Sequence, residues 1–123
     1  MKIKESHERL LVMLIALHSA IVGIMLLFFS EWSISFAGWT NADPIFFVHQ
    51  GGIFHIVLAA GYVIEYRRDR GITLLVVAKT CACIFLVTEA LIGDTPWVIP
   101  FSGLTDGAMG LVVLLTHRIA TRK

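Results

Sequence analysis

Two histidines lie deep within otherwise apolar stretches of the sequence. His18 is eight residues into the first stretch, and His55 lies near the middle of the second. If both stretches are membrane helices, their rise places the two imidazoles about 12–16 Å from one membrane face. Imidazoles at similar depth on adjacent helices could ligate a b-type haem from both sides. The pair therefore predicts a haem-binding electron carrier, with hydrogen bonding between helices as the alternative.

A second set of ionisable residues lies nearer the opposite membrane face. It consists of His49, Glu89 and Asp106. Imidazole and carboxylate groups that face a common cavity can bind a divalent metal or relay protons. The set predicts a metal site. In the alternative, Glu89 extends outward to the interface and Asp106 has a structural role near the start of its helix.

Lys79 is the one lysine or arginine inside an apolar stretch. Its charge is costly in hydrocarbon, so it needs a partner, water or a route to the interface. The side chain can extend to the headgroups, or it can pair with Asp106, whose depth differs by only about 5 Å. Glu89 is about 15 Å further along the same helix, too far for direct pairing. Lys79, Glu89 and Asp106 together suggest an oligomeric ion or small-metabolite transporter.

Four helices are needed to hold these side chains. Apolar runs cover residues 10–29, 45–66, 72–92 and 97–117, and about 20 helical residues cross a hydrocarbon core of about 30 Å. The predicted fold class is an all-α membrane protein, with residues 1–123 forming one domain of four antiparallel transmembrane helices. We also expect a short interfacial helix after the first span, and a helix boundary at Gly71.

The composition excludes several classes of protein. Of the 123 residues, 57% are hydrophobic and only 15% are charged, against roughly 25% charged in an ordinary soluble domain. Disorder and nucleic-acid binding are excluded on these grounds. The sequence has no P-loop, GxSxG, HExxH or dinucleotide-binding motif, which argues against an enzyme.

The basic residues indicate how the chain is oriented. Nine of the ten Lys and Arg flank the apolar runs in three clusters: Lys2, Lys4 and Arg9; Arg67, Arg68 and Arg70; and Arg118, Arg122 and Lys123. The two remaining connections carry no basic residue. Because basic loops stay in the cytoplasm, both termini are predicted to be cytoplasmic.

Three segments match a known group of membrane proteins: HQGGIFHIVLAAGY at 49–62, AKTCACIF at 78–85 and LTDGAMG at 104–110. With its length and span spacing, the chain resembles the DoxX-like small bacterial four-helix membrane proteins. The resemblance implies a helical bundle in the bacterial inner membrane. Some relatives accompany oxidoreductases that act on sulfur compounds and quinone. This chain has no CxxC motif, so no catalytic role is carried over.

The short connections favour a non-catalytic function. No predicted loop exceeds about 15 residues, so none can house a soluble active site. We therefore expect an anchor, assembly or accessory subunit of a larger bacterial membrane complex, with redox association implied by the resemblance alone. Small residues such as Gly103 and Gly107 suit packing within the bundle, a homo-oligomer or docking to a membrane-protein partner. The haem carrier and the transporter are the alternatives.

Overall fold

The computed structural model describes residues 5–122, which form five α-helices. These are α1 (Glu5–Phe28), α2 (Ser30–Phe36), α3 (Ile45–Asp69), α4 (Thr73–Ile92) and α5 (Val98–Thr121). All except α2 are long and apolar enough to cross a membrane. The prediction of an all-α protein is confirmed, and it has the four predicted helices of spanning length and composition. The short helix expected after the first span is α2.

The connection between α3 and α4 differs in detail from the prediction. Helix α3 ends at Asp69, and the residue in the left-handed conformation is Arg70 (φ 52°) rather than Gly71. Gly71 is needed for space instead, because a Cβ there would lie 2.8 Å from Cγ of Glu65. Glu65 is held in this position because its carboxylate accepts the backbone N–H of Leu74, 2.9 Å away. That bond satisfies one of the free N–H groups in the first turn of α4.

The long helices pack chiefly as two pairs, α1 with α3 and α4 with α5. The first pair is closest at two glycines. A Cβ on Gly23 would lie 2.6 Å from the carbonyl oxygen of Gly52, and a Cβ on Gly52 would lie 2.9 Å from that of Gly23. Lipid provides little drive for apolar helices to associate, so close backbone approach is an important source of attraction between them.

We expect Gly52→Ala to destabilise the protein by about 1–3 kcal/mol, because the added methyl group must push two backbones apart. Gly51→Ala is the matched control. A Cβ at Gly51 meets only Cδ1 of Leu26, at 4.0 Å, so this change should cause no loss. Unfolding in mixed micelles would measure both variants. Equal stability of the two would show that the glycine contact is not tight.

The two pairs are joined by a core of eight buried apolar residues. They are Val12, Ile15, Ala16, Tyr62, Tyr66, Ile72, Leu75 and Val113. All lie toward the end of the bundle where Glu8, Arg70 and His117 meet, which we call the terminal end. In α4, by contrast, no residue from Thr80 to Ile92 is buried. The pairs are therefore packed together most firmly at the terminal end.

Candidate functional site

Each of the four long helices contributes one ionisable side chain to an intramembrane cluster. The members are His18 on α1, His55 on α3, Lys79 on α4 and Asp106 on α5. The charges of Lys79 and Asp106 act on both histidines, and His18 acts on His55. This intramembrane cluster brings together both predicted haem ligands, the lone lysine and one of the predicted metal ligands.

A salt bridge forms the buried centre of the intramembrane cluster. Nζ of Lys79 donates a hydrogen bond to Oδ1 of Asp106 over 2.7 Å, and the two side chains are only 5% and 14% exposed. Helix α5 comes close enough because of Gly110, where a Cβ would lie 3.2 Å from Cβ of Lys79. Of the two alternatives for Lys79, the structure shows pairing with Asp106. Each charge offsets the other's loss of water.

Among residues 5–122, neither histidine is hydrogen-bonded to this salt bridge, although its charges act on both. His18 is exposed on the surface of the bundle, and His55 is half-buried. The ammonium of Lys79 is bonded to Asp106, so it is not free to pair with an anionic group of a ligand. Haem ligation by His18 and His55 stays a prediction.

The three predicted metal ligands have separate surroundings. Nε2 of His49 lies 3.1 Å from Oγ of Ser30, which donates to the carbonyl oxygen of Leu26. Asp106 is paired with Lys79, and the side chain of Glu89 makes no hydrogen bond or ion pair within residues 5–122. In that range, no three His, Cys, Asp or Glu residues form a group that could hold a metal ion. The geometry gives the metal site no support.

A second buried charge cluster lies at the terminal end and was not predicted from the sequence. Glu8 is fully buried, and its two oxygens accept hydrogen bonds from Nη2 of Arg70 at 3.0 Å and from Nδ1 of His117 at 2.8 Å. Arg70 also bonds to the exposed Glu5. This bond to Glu5, supported by one to Tyr66, raises the pKa of the Arg70 guanidinium. Arg70 therefore stays charged opposite Glu8.

The spacing along α1 contains the signal that would have identified Glu8. Val12, Ile15 and Ser19 are all buried, and they follow Glu8 at intervals of four, three and four residues. Residues at this spacing share one face of a helix. A carboxylate on the core face requires cationic or hydrogen-bonding partners. The basic residues at the same end of the bundle are the candidates for that role.

Comparison with protein-family models, with curated proteins and with solved structures finds no match to this chain.

Proposed function

We propose that this protein is a non-catalytic accessory subunit of a larger complex in the bacterial inner membrane. In this proposal the four spans are antiparallel, both termini are cytoplasmic, and the chain is DoxX-like in architecture. The positions of the nine flanking basic residues support the orientation. The observation that carries the proposal is Glu89, on the unburied half of α4, whose side chain has no bonding partner among residues 5–122.

The second half of α4 has more free surface than its own bundle covers. Phe85, Leu91 and Ile92 are 61%, 81% and 75% exposed, and no residue between Thr80 and Ile92 is buried. Lipid alone can cover apolar side chains, so their exposure does not require a partner. The polar residue on this segment, Glu89, is what distinguishes a docking surface from a lipid-facing one.

Glu89 lies in an unfavourable place for a free carboxylate. It is within the last turn of α4, where the unpaired carbonyl groups of the helix repel negative charge. Its side chain has no bonding partner in the described chain. A membrane-spanning helix that presents a basic or hydrogen-bond-donating side chain at this depth would compensate both effects. We therefore assign the second half of α4 as the contact with a partner subunit.

The experiment is co-purification from native membranes in a mild detergent, using the full chain with a small tag. We expect a second, distinct polypeptide in fixed stoichiometry with this chain. Glu89→Ala should reduce its recovery about tenfold or more, as expected for loss of one charge-assisted hydrogen bond. Glu31→Ala, which removes an exposed carboxylate from α2, is the matched control and should change nothing.

Co-expression of two differently tagged copies of the chain distinguishes a homo-oligomer from a complex with another polypeptide. If the copies capture each other and no other polypeptide is recovered in stoichiometric amount, the protein is a homo-oligomer and the accessory-subunit proposal is wrong. Equal partner recovery with Glu89→Ala and with Glu31→Ala would remove Glu89 from the contact.

His18 and His55 lie on α1 and α3, the two helices of one closely packed pair, which supports a second candidate, a haem-bearing electron carrier. His18 is exposed and therefore accessible to a ligand. An absorption spectrum of the purified protein and its pyridine haemochrome decides between the two functions. A Soret band that disappears in both His18→Ala and His55→Ala would establish the haem carrier, and a spectrum without one would exclude it.

A further inference from the structure

A basic cavity opens at the terminal end, beside the first turns of α1 and the last turns of α3. Its volume is about 400 Å³, within the range of sites for small ligands. The residues that line it are Glu5, Ser6, Arg9, Tyr66, Arg67 and Arg70. Three arginines thus line one space, together with one acidic residue and two residues that carry a hydroxyl group.

The three arginines are not equally available to a ligand. Arg70 already donates to Glu5 and Glu8. Arg9 and Arg67, by contrast, form no ion pair with any other residue in the range 5–122. Three guanidiniums therefore stand against the two carboxylates of Glu5 and Glu8, which leaves a net charge of +1 at the cavity. Guanidinium groups present several N–H donors in one plane, a geometry that suits the oxygens of a phosphate.

The position of the cavity indicates where such a phosphate would come from. Arg9 immediately precedes the apolar run of α1, and Arg67 lies in the last turn of α3. Both residues are therefore at headgroup depth if these helices span the bilayer. Basic pockets beside membrane helices on the cytoplasmic side are suited to anionic headgroups.

We propose that this cavity binds the phosphate group of an anionic phospholipid, held by Arg9 and Arg67 with Ser6 as a further donor. The choice of lipid over free phosphate rests on the membrane placement given under the proposed function. The binding chemistry does not require the partner subunit. The site holds the headgroup against the α1–α3 pair, from which most of the lining residues come.

Native mass spectrometry of the purified full chain in neutral detergent tests this site. After addition of phosphatidylglycerol or phosphatidylcholine, we expect retention of the first lipid and little of the second. Arg9→Gln and Arg67→Gln should each weaken phosphatidylglycerol retention about fivefold, the effect of one basic residue beside an anionic surface. Arg68→Gln is the matched control. Arg68 is outside the cavity and faces Asp69, so retention should not change.

Inorganic phosphate, added alone and as a competitor, distinguishes the two sources. Failure of millimolar phosphate to displace the lipid supports a headgroup site, whereas full displacement with the same sensitivity to Arg9 and Arg67 overturns the lipid assignment in favour of free phosphate. Equal retention by all three arginine variants overturns the site itself. Thermal midpoints equal to the parent's show that the variants are folded. Because no partner is present, this result is independent of the co-purification experiment.

Discussion

Replacing Lys79 with methionine is expected to lower the free energy of unfolding by about 3–5 kcal/mol, the usual loss when one member of a buried ion pair is removed. The reason is the position of Asp106, whose side chain is only 14% exposed and has Lys79 as its hydrogen-bonding partner. Without the ammonium, that carboxylate must either stay charged in an apolar interior or take up a proton. Both states are less favourable than the salt bridge.

The double variant Lys79→Met with Asp106→Leu is the decisive comparison. It removes both charges, so most of the lost stability should return, as happens when buried pairs are replaced by apolar residues of similar volume. Reversible unfolding in mixed micelles, followed by helix content, gives the coupling energy from the double-mutant cycle. Thr80→Met, at an exposed neighbour on α4, should stay within about 0.5 kcal/mol. A double variant no more stable than Lys79→Met would mean that the salt bridge is not what holds α4 to α5.

Replacing Glu8 with alanine is expected to cost about 3 kcal/mol. Glu8 is fully buried and receives hydrogen bonds from Arg70 and His117, and a hydrogen bond to a charged group contributes about 1.5–3 kcal/mol. Part of the loss is offset, because Arg70 is partly exposed and keeps Glu5 as a partner. Unfolding in mixed micelles measures this loss. Its structural cause is the missing contact between Glu8 on α1 and His117 on α5.

Glu5→Ala provides the matched control for Glu8→Ala. Both carboxylates bond to Arg70, but the Glu5 side chain is 74% exposed and that of Glu8 is not exposed at all. Exposed ion pairs contribute little to stability, so Glu5→Ala should leave the unfolding midpoint almost unchanged. If the two variants lost equal stability, burial would not be what makes Glu8 important.

The sequence predicted the helices and the depth of their polar groups much better than the directions in which those groups point. Long apolar runs were sufficient to predict α1, α3, α4 and α5, because a chain in lipid must satisfy its own backbone hydrogen bonds. Depth along the helices also gave the Lys79–Asp106 pairing as one of two alternatives. The depth of a residue follows from the helical rise, which hardly varies between proteins.

The face of the helix on which each polar residue lies was harder to predict from the sequence. His49 and Asp106 were grouped by depth, yet His49 contacts Ser30 at the start of α2 and Asp106 contacts Lys79. Which face a residue occupies depends on how the helices pack, and here that depends on close contacts such as Gly23 with Gly52. The boundary at Gly71 was predicted one residue late for a similar reason. Glycine preference suggested Gly71, whereas Arg70 adopts the left-handed conformation and its backbone N–H donates to the carbonyl oxygen of Tyr66.

The contacts of Glu8 also bear on the order in which the protein is assembled. Its partners Arg70 and His117 lie 62 and 109 residues further along the chain. Because synthesis proceeds from the N-terminus, α1 is made before either partner exists. Neither hydrogen bond to the Glu8 carboxylate can form in that interval, and the one from His117 waits until α5 has been made. Helix α5 thereby ties down the start of a helix made 109 residues before its own contact residue.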